Sequence, residues 1–370
     1  MILAYGLMRR LVAGAAAVVV GSGLAVAVAG TAQAAVPGHW GFAYVDKPSV
    51  PGIPALDHQA GSWPPGFVVH VAPGVVGQVF VRFPRIASRD GVVLVTAVTD
   101  SPVWCQAQKW ARSGPNEVVA VRCYKAGGLP TFAPFVVAYS QSSKGPIPPG
   151  RRYGYVHYSP VPGVVARFNS AGAVNTVTTV APGVWKVRLP GLGSAGLAGN
   201  VQVTAVNSAA PAKCEVSGWN SKPARQLIEV RCYNGVATPL KTGWTLVYQR
   251  GRAVTGTQPK NFAYTFDNKP LAAGPYAPVP PAVNVNSAGG INNIRRAGGG
   301  LRLVMFPRAG KLPDTVLVTT AGSGGRFCNL LTRWATTASP GGVIVRDVAC
   351  YTATGILKNT ASLITYASAH

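Results

Sequence analysis

The sequence predicts an all-β protein made of three tandem β-sandwich domains, jelly-roll or immunoglobulin-like, each with one internal cross-strand disulfide. Three observations support this fold class: a hairpin bracketed by cysteines occurs three times, short runs alternate between apolar and polar residues, and turn-forming residues are abundant, with 44 Gly and 31 Pro. Short alternating runs are typical of half-buried strands. Beyond residue 34 the sequence shows no convincing amphipathic helix.

Each copy of the hairpin contains a Val-Thr run, a cysteine, a tryptophan, a turn and a Cys-Tyr pair. A turn signal rich in Gly, Pro or Ser lies midway between the two cysteines of every copy, and this places them opposite each other on antiparallel strands. Directly opposed Cβ atoms lie about 4.5–5.5 Å apart, close to the separation that a disulfide needs. We therefore predict the pairs Cys105–Cys123, Cys214–Cys232 and Cys328–Cys350.

Residues 1–34 have the three parts of a secretory signal peptide. Arg9 and Arg10 precede an apolar run from Leu11 to Gly30, and Ala32-Gln33-Ala34 is a small-residue cleavage site. An uncleaved membrane anchor is the alternative, because the apolar run is long enough to span a bilayer. We expect cleavage and an extracellular protein, either released or associated with the cell wall.

The rest of the chain is predicted to form three domains, 35–143, 144–254 and 255–370. A repeat of roughly 110 residues can bury its own core, so each is expected to be self-contained. The linkers are predicted at 144–150, which is Pro-rich and semi-rigid, and at 251–256, which is more flexible. Tyrosines at matching spacings mark the repeat starts (Tyr44, Tyr155, Tyr264) and ends (Tyr139, Tyr248, Tyr366).

Turn residues separate the alternating runs within each repeat. Trp185-Lys186-Val187-Arg188-Leu189 is one such run, with an apolar residue at every second position. About seven or eight strands in a repeat of this length indicate a sandwich, although the strand order does not follow from the sequence. In the second repeat we predict strands at 153–158, 164–168, 174–180, 184–189, 201–206, 213–219, 227–233 and 244–249.

The repeat resembles one found in uncharacterised secreted proteins of actinobacteria. The resemblance rests on a Val-x-Leu/Phe-Pro run (81–84 and 187–190), the Val-Thr-Ala-Val, Cys, Trp and Val-x-Cys-Tyr series, and a terminal strand ending in Tyr; it covers almost the whole chain after residue 34. The third copy departs most, with Met305-Phe306-Pro307 in the Leu-Pro place and Ala349 where the other copies have Arg. The resemblance implies location and architecture. No activity is assigned to the family, so it supplies no functional residues.

Positive charge is the strongest bulk signal. The formal net charge is +24 at pH 7, and in the three repeats Lys and Arg exceed Asp and Glu by 3, 11 and 8. Such an excess bears on partners and solubility rather than on fold. Anionic polymers of the cell wall or matrix are the expected partners, and export makes nucleic acid an unexpected natural partner. The alternative is that the basic surface serves only solubility or loose retention near a negative wall.

The repeated tryptophans are the candidate ligand contacts. In a strand without a bulge, Trp110 would face away from Cys105 and lie outside near Arg122, as an exposed pair suited to a sugar or anion. The alternative is that a bulge turns the tryptophan inward, or that it covers a sheet edge. The full set of candidate contacts is Trp110, Trp219, Trp334, Arg122, Arg231, Arg151, Arg152, Arg295 and Arg296, with the last four and Arg225 expected in loops.

Residues suited to catalysis are scarce. A metal site formed by His39, His58 and His70 can be imagined, but this set does not recur in the other repeats, and no nucleophile elbow is present. We predict no catalytic residue, no metal and no cofactor, and we favour a secreted non-catalytic protein that associates with anionic envelope or extracellular polymers. The alternatives are a polysaccharide hydrolase with its site between repeats and a purely structural surface protein. A cleft holding two or more carboxylates or histidines within about 6 Å would favour the hydrolase.

Overall fold

The computed structural model describes residues 38–142, 150–337 and 341–370. The predicted signal peptide and almost all of the 144–150 linker lie outside this part of the chain. The described ranges contain 25 strands, two 3-10 turns (Leu56–His58 and Pro281–Val283) and no α-helix. In them we find no helix with the length and apolar character needed to cross a membrane.

The strands follow the repeats. Repeat 1 contains β1 (Trp40–Val45), β2 (Gln59–Gly61), β3 (His70–Pro73), β4 (Gln78–Phe83), β5 (Val92–Ala97), β6 (Val103–Ser113), β7 (Asn116–Lys125) and β8 (Phe135–Ser140). Repeat 2 contains β9 (Arg152–Ser159), β10 (Gly163–Asn169), β11 (Thr176–Ala181), β12 (Val184–Pro190), β13 (Asn200–Val206), β14 (Ala212–Lys222), β15 (Arg225–Asn234) and β16 (Gly243–Arg250). Repeat 3 contains β17 (Phe262–Asp267), β18 (Val285–Asn286), β19 (Asn293–Gly298), β20 (Leu301–Phe306), β21 (Asp314–Ala321), β22 (Phe327–Leu330), β23 (Ala335–Thr336), β24 (Val343–Tyr351) and β25 (Ala361–Ser368).

Each repeat is a β-sandwich of two antiparallel sheets, which confirms the predicted fold class. The terminal sheet pairs the first and last strands of the repeat, in the orders β2-β1-β8-β5, β10-β9-β16-β13 and β18-β17-β25-β21. The hairpin sheet contains the disulfide hairpin, in the orders β6-β7-β4-β3, β14-β15-β12-β11 and β22-β24-β20-β19, with β23 also on β24. All eight strands predicted for repeat 2 are present, and the largest difference is that β14 continues to Lys222.

All three predicted disulfides are confirmed. The paired cysteines are direct cross-strand partners in the hairpins β6–β7, β14–β15 and β22–β24. Their Cα atoms are 4.0, 4.1 and 4.0 Å apart. These separations are slightly shorter than the separation of about 4.5 Å that is usual for a directly opposed, non-hydrogen-bonded pair in antiparallel strands. The cysteines are thus opposed as the turn placement predicts.

The three sandwiches are joined edge to edge. The hairpin sheet of one repeat meets the terminal sheet of the next through a parallel pairing. The pairs are Ala107–Val206 between repeats 1 and 2, Val216–Ala321 between repeats 2 and 3, and Val98–Leu330 between repeats 3 and 1. The expectation of self-contained domains is corrected by this finding, because sheets continue from one repeat into the next and the third contact closes the cycle.

The strands with the Val-Thr runs lie at the centre of this cycle. β5, β13 and β21 are buried along nearly their whole length, because each is covered by its own sandwich and by a neighbouring repeat. A matching hydrogen bond joins each strand to another repeat at 3.0 Å: Val95 N to Thr204 Oγ1, Val203 N to Thr319 Oγ1, and Val318 N to Thr96 Oγ1. The repeats are thus related by a pseudo-threefold axis that passes between these threonines.

The segment 251–256 is packed into the interior, so the prediction of a flexible linker is wrong. Ala253 and Val254 are buried in the largest hydrophobic core. Tyr153 donates a hydrogen bond to the carbonyl of Val254 at 3.1 Å, and Ser140 donates one to the carbonyl of Thr255 at 3.0 Å. The sequence gives little sign of this packing because the partners come from distant parts of the chain.

The tyrosines near the repeat starts are not all equivalent. Backbone pairing places Gly41, Gly154 and Ala263 opposite Tyr139, Tyr248 and Tyr366. Tyr155 and Tyr264 therefore correspond to Phe42, whereas Tyr44 corresponds to His157 and Phe266. Tyr44 is thus two residues out of phase with Tyr155 and Tyr264, because loops of different length separate the first and last strands of the repeats.

Candidate functional site

The tryptophan of the first two hairpins lies on the same side of the sheet as the cysteine. A β-bulge after Ala107 places Trp110 opposite Val119, a fully buried core residue, and β14 has the same bulge ahead of Trp219. The expectation for an unbulged strand, which put Trp110 outside near Arg122, is therefore wrong. One extra residue in a strand moves every side chain that follows it to the opposite face of the sheet.

Each tryptophan packs against an aromatic ring of the neighbouring repeat. The pairs are Trp110–His157, Trp219–Phe266 and Trp334–Tyr44, with ring centroids 4.4, 6.1 and 6.0 Å apart. These partners occupy one equivalent position in the first strand of each repeat. Trp110 and Trp219 are half-buried, whereas Trp334 is only 2% exposed. The tryptophans therefore join the repeats, and Trp334 is too deeply buried to touch a surface ligand.

The junction between repeats 3 and 1 is filled by a buried polar cluster. His58 Nδ1 lies 2.8 Å from Asp314 Oδ1, which also accepts the indole N–H of Trp334 at 2.8 Å. Thr336 donates to the other oxygen of Asp314, and His58 Nε2 lies 3.7 Å from Asp57. The cluster has the proximity expected of a hydrolase site, but His58 and Asp314 are nearly inaccessible. Its contacts instead fasten repeat 1 to repeat 3.

The hypothesis of a histidine metal site gains no support from the geometry. Within the ranges 38–142, 150–337 and 341–370, no group of three or more His, Cys, Asp or Glu side chains is arranged to hold a metal ion. His58 is engaged by Asp314, as described, and His70 is an exposed residue of β3.

The other two junctions contain open clefts. Between repeats 1 and 2 the cleft has a volume of about 290 Å³, and its wall includes His157, Ser208 and Lys241. Between repeats 2 and 3 the corresponding cleft has a volume of about 230 Å³ and is lined mainly by apolar side chains, among them Phe266 and Leu363. No carboxylate of the described chain lines either cleft. These junctions therefore offer no pair of acidic groups for glycoside hydrolysis.

A lysine lies beside the pseudo-threefold axis, between two aromatic rings. Lys213 occupies the position that Trp104 holds in repeat 1 and Phe327 holds in repeat 3. Its ammonium group is 4.4 Å from the ring centroid of Trp104 and 5.1 Å from that of Phe327. Burial lowers the pKa of Lys213 to about 8, although the charge of Glu215 opposes this shift. All three side chains line an axial cavity of about 40 Å³, which has room for a few water molecules.

Two buried glutamates have raised pKa values. Glu215 is fully buried and accepts a hydrogen bond from Gly325 N at 3.2 Å, and burial raises its pKa to about 7. Glu117 is likewise fully buried, accepts from Ser88 N at 3.0 Å, and has a pKa raised by burial to about 7. At the position of Glu215, repeat 1 has Gln106, whose amide donates to the carbonyl of Ala210 at 2.9 Å. Both glutamates connect elements of the fold, and at the position of Glu215 repeat 1 uses a neutral amide for this purpose.

The outer side of the repeat 2 hairpin sheet is a basic surface. Alternation along β12 buries Trp185, Val187 and Leu189 and exposes Lys186 and Arg188. We call the basic face the outward-pointing residues Lys186, Arg188, Lys222, Arg225 and Arg231. Repeat 2 has only two carboxylates, Glu215 and Glu229, and only Glu229 points to this face. The basic face therefore keeps most of its positive charge uncompensated.

Glu229 is already engaged on the basic face. Its Oε1 accepts hydrogen bonds from Ser217 at 2.8 Å and from Arg231 at 2.9 Å. Partial burial acts to raise the pKa of Glu229, but these hydrogen bonds outweigh it and the pKa is lowered. Arg231, one of the predicted contacts, is thus paired, while Lys186 and Arg188 form no salt bridge within the described chain.

The equivalent positions in the other repeats are less basic. Strand register aligns Lys186 with Phe80 and Leu303, Arg188 with Arg82 and Met305, and Arg231 with Arg122 and Ala349. Arg122 is half-buried, donates to the carbonyl of Val76 at 3.3 Å, and lies 5.6 Å from the ring centroid of Tyr124. Only repeat 2 therefore has a cation at all three positions.

Most of the arginines expected in loops lie in strands. Arg152 begins β9, and Arg295 and Arg296 are exposed residues of β19, while Arg151 alone among the four precedes its strand. Arg225 begins β15. Arg152 donates from Nε to the carbonyl of Gly191 at 3.1 Å. Arg152, Arg295 and Arg296 belong to other sheets than the basic face, whereas Arg225 is one of its members.

Lys186 and Arg188 were not among the predicted contacts. The signal for them was present, because both occupy the polar positions of the alternating run 185–189, which marks an exposed strand face. Lys213 and Glu215 had no such signal, since their burial depends on a neighbouring repeat.

No protein-family model, curated protein or solved structure matches this chain. The class defined by the fold is therefore a disulfide-stabilised cycle of three β-sandwich repeats, and the resemblance to secreted actinobacterial repeats stays a prediction.

Proposed function

We propose that this protein is a secreted, non-catalytic binding protein that associates with anionic polymers of the cell envelope or extracellular matrix. The observation that carries the proposal is the basic face of repeat 2, an outward sheet surface with five cations and one carboxylate that is already paired. The three disulfides fit an oxidising compartment outside the cell.

A row of charges along a strand suits an extended polymer better than a small molecule. Side chains at alternate positions of β12 lie about 6.5–7 Å apart along the strand, so successive charges can meet successive anionic groups of an extended chain. Arginine adds a planar fork that donates two parallel hydrogen bonds to a carboxylate, sulfate or phosphate. Attraction between exposed charges is screened beyond about 8–10 Å near physiological ionic strength, so binding should weaken strongly as salt is added.

The test is retention of the full-length chain on immobilised heparin and on teichoic acid across a salt gradient. Isolated repeats are unsuitable because the repeats share sheets and cores. The double variant Lys186→Glu/Arg188→Glu should elute at a clearly lower salt concentration than wild type. Lys47→Glu/Arg89→Glu is the matched control, since it changes net charge equally at exposed sites of repeat 1. Equal losses in the two variants would show that only total charge matters and would refute a specific binding face.

A further inference from the structure

The cleft between repeats 1 and 2 differs chemically from its two counterparts. The residue that packs against the tryptophan is His157 here, Phe266 at the second junction and Tyr44 at the third. The second junction is lined mainly by apolar groups, and the third is filled by His58. The three junctions are equivalent positions of the pseudo-threefold arrangement and can be compared directly. Among them, only the junction between repeats 1 and 2 is both polar and open.

Three polar groups face this cleft and keep hydrogen-bonding capacity. Lys241 and Ser208 are exposed, and the half-buried imidazole of His157 lies against the indole of Trp110. Burial lowers the pKa of His157 to about 4, so the ring is neutral at physiological pH. A neutral imidazole offers one donor and one acceptor, which matches a hydroxyl group, while the lysine ammonium offers only donors, which matches an anion.

The wall that carries Ser208 is held in place by its own hydrogen bonds. Asn207 Oδ1 accepts from the backbone of Ala209 and Ala210 at 2.9 Å, and its amide donates to Thr242 at 3.0 Å. Gln108 donates to the carbonyl of Ser208 at 3.3 Å. A preformed wall reduces the entropy lost on binding. The volume of about 290 Å³ lies just below the usual range of small-molecule pockets, about 300–1,000 Å³, and so suits a single sugar-sized unit.

We propose that His157, Ser208 and Lys241 form a site for one polyol unit that carries a single negative charge, such as a uronate or a polyol phosphate. Lys241 pairs with the anionic group, and His157 and Ser208 bind hydroxyl groups. This inference rests on the proposed function and extends it. The basic face holds an anionic polymer electrostatically, and the cleft selects a unit that is both charged and hydroxylated.

The experiment titrates full-length protein, labelled with ¹⁵N-histidine, with methyl glucuronide, glycerol 1-phosphate and the neutral methyl glucoside. The His157 signal is assigned from its loss in His157→Phe, the residue present at the second junction. At least one anionic compound should shift this signal and bind at least tenfold more tightly than methyl glucoside. Comparing the two anions distinguishes the uronate from the phosphate source.

Lys241→Gln, at an exposed position, should weaken binding of that anion at least tenfold. Lys47→Gln/Arg89→Gln, at exposed positions of repeat 1 outside both proposed sites, should leave it unchanged. The proposal is overturned if neither anion shifts the His157 signal, if methyl glucoside binds equally well, or if Lys241→Gln has no effect. If retention on heparin depends on Lys186 and Arg188 but no compound shifts the His157 signal, the cleft site alone is refuted. If an anion binds in the cleft but retention on heparin does not depend on Lys186 and Arg188, the basic face alone is refuted.

Discussion

Replacing Glu215 by glutamine should stabilise the protein, and the gain should depend on pH. The carboxyl group is fully buried beside repeat 3, and its pKa is raised by burial from 4.5 to about 7. One pKa unit corresponds to about 1.4 kcal/mol, so ionisation of Glu215 in the folded state costs about 3 kcal/mol above pH 7. Glutamine removes this cost and keeps an oxygen that can accept from Gly325. The equivalent Gln106 shows that an amide fits the position.

The sign of this pH dependence follows from the number of protons that the folded and unfolded states bind. Between pH 4.5 and 7 the folded protein binds more protons at Glu215 than the unfolded chain does, so wild-type stability falls as pH rises through this window. Below pH 4.5 the carboxyl is neutral in both states, and Glu215→Gln should be nearly neutral. Above pH 7 the variant should be more stable by up to about 3 kcal/mol. The variant also loses the attraction between ionised Glu215 and Lys213, which makes the gain smaller than this upper limit. With roughly 2.1 cal/mol/K of unfolding entropy per residue, this gain corresponds to about 4 °C in Tm.

Urea unfolding of both proteins at several pH values between 4 and 8 measures the difference directly. Glu229→Gln is the control, because the pKa of Glu229 is lowered in the folded state and its removal should not stabilise the protein at pH 8. The reasoning would be refuted if Glu215→Gln were less stable than wild type at pH 8, or if the difference between them were the same at pH 4 and pH 8.

Two further predictions concern stability. Cys214→Ala/Cys232→Ala should lower the free energy of unfolding by about 3 kcal/mol, because the disulfide closes a loop of 18 residues; guanidinium unfolding checks this, and a loss below about 1 kcal/mol would contradict it. Trp334→Phe should cost about 1–3 kcal/mol in the same assay, because the hydrogen bond to buried Asp314 is lost at the junction of repeats 3 and 1. Trp110→Phe, at a half-exposed position, should cost less, and an equal or larger loss there would contradict the role given to Asp314.

The predictions that succeeded depend on neighbours in sequence. Each disulfide follows from a turn midway between its cysteines, because a hairpin fixes which residues oppose each other. The strands of repeat 2 follow from alternation, since the period of two is a property of the backbone itself. The outward cations Lys186 and Arg188 could have been found in the same way, from the polar positions of a predicted strand.

The tryptophans show why local patterns give only part of the site. One extra residue ahead of Trp110 turns it from the outer surface to the core, and alternation alone does not reveal a bulge. Trp334 is buried because Tyr44 and His58 of another repeat cover it. The candidate contacts drawn from recurrence therefore included residues whose recurrence reflects packing between repeats.

The sequence by itself determined the β class, the number of repeats, the cysteine pairing and the excess of positive charge, because these depend on composition and on contacts within a hairpin. Only the tertiary structure decided the cyclic arrangement, the burial of Lys213 and Glu215, and the difference between the three junction clefts. Each of these requires residues roughly a hundred or more positions apart to meet, such as Val98 with Leu330. Pairing between distant edge strands is set by how whole sandwiches pack together, and no short stretch of sequence encodes that packing.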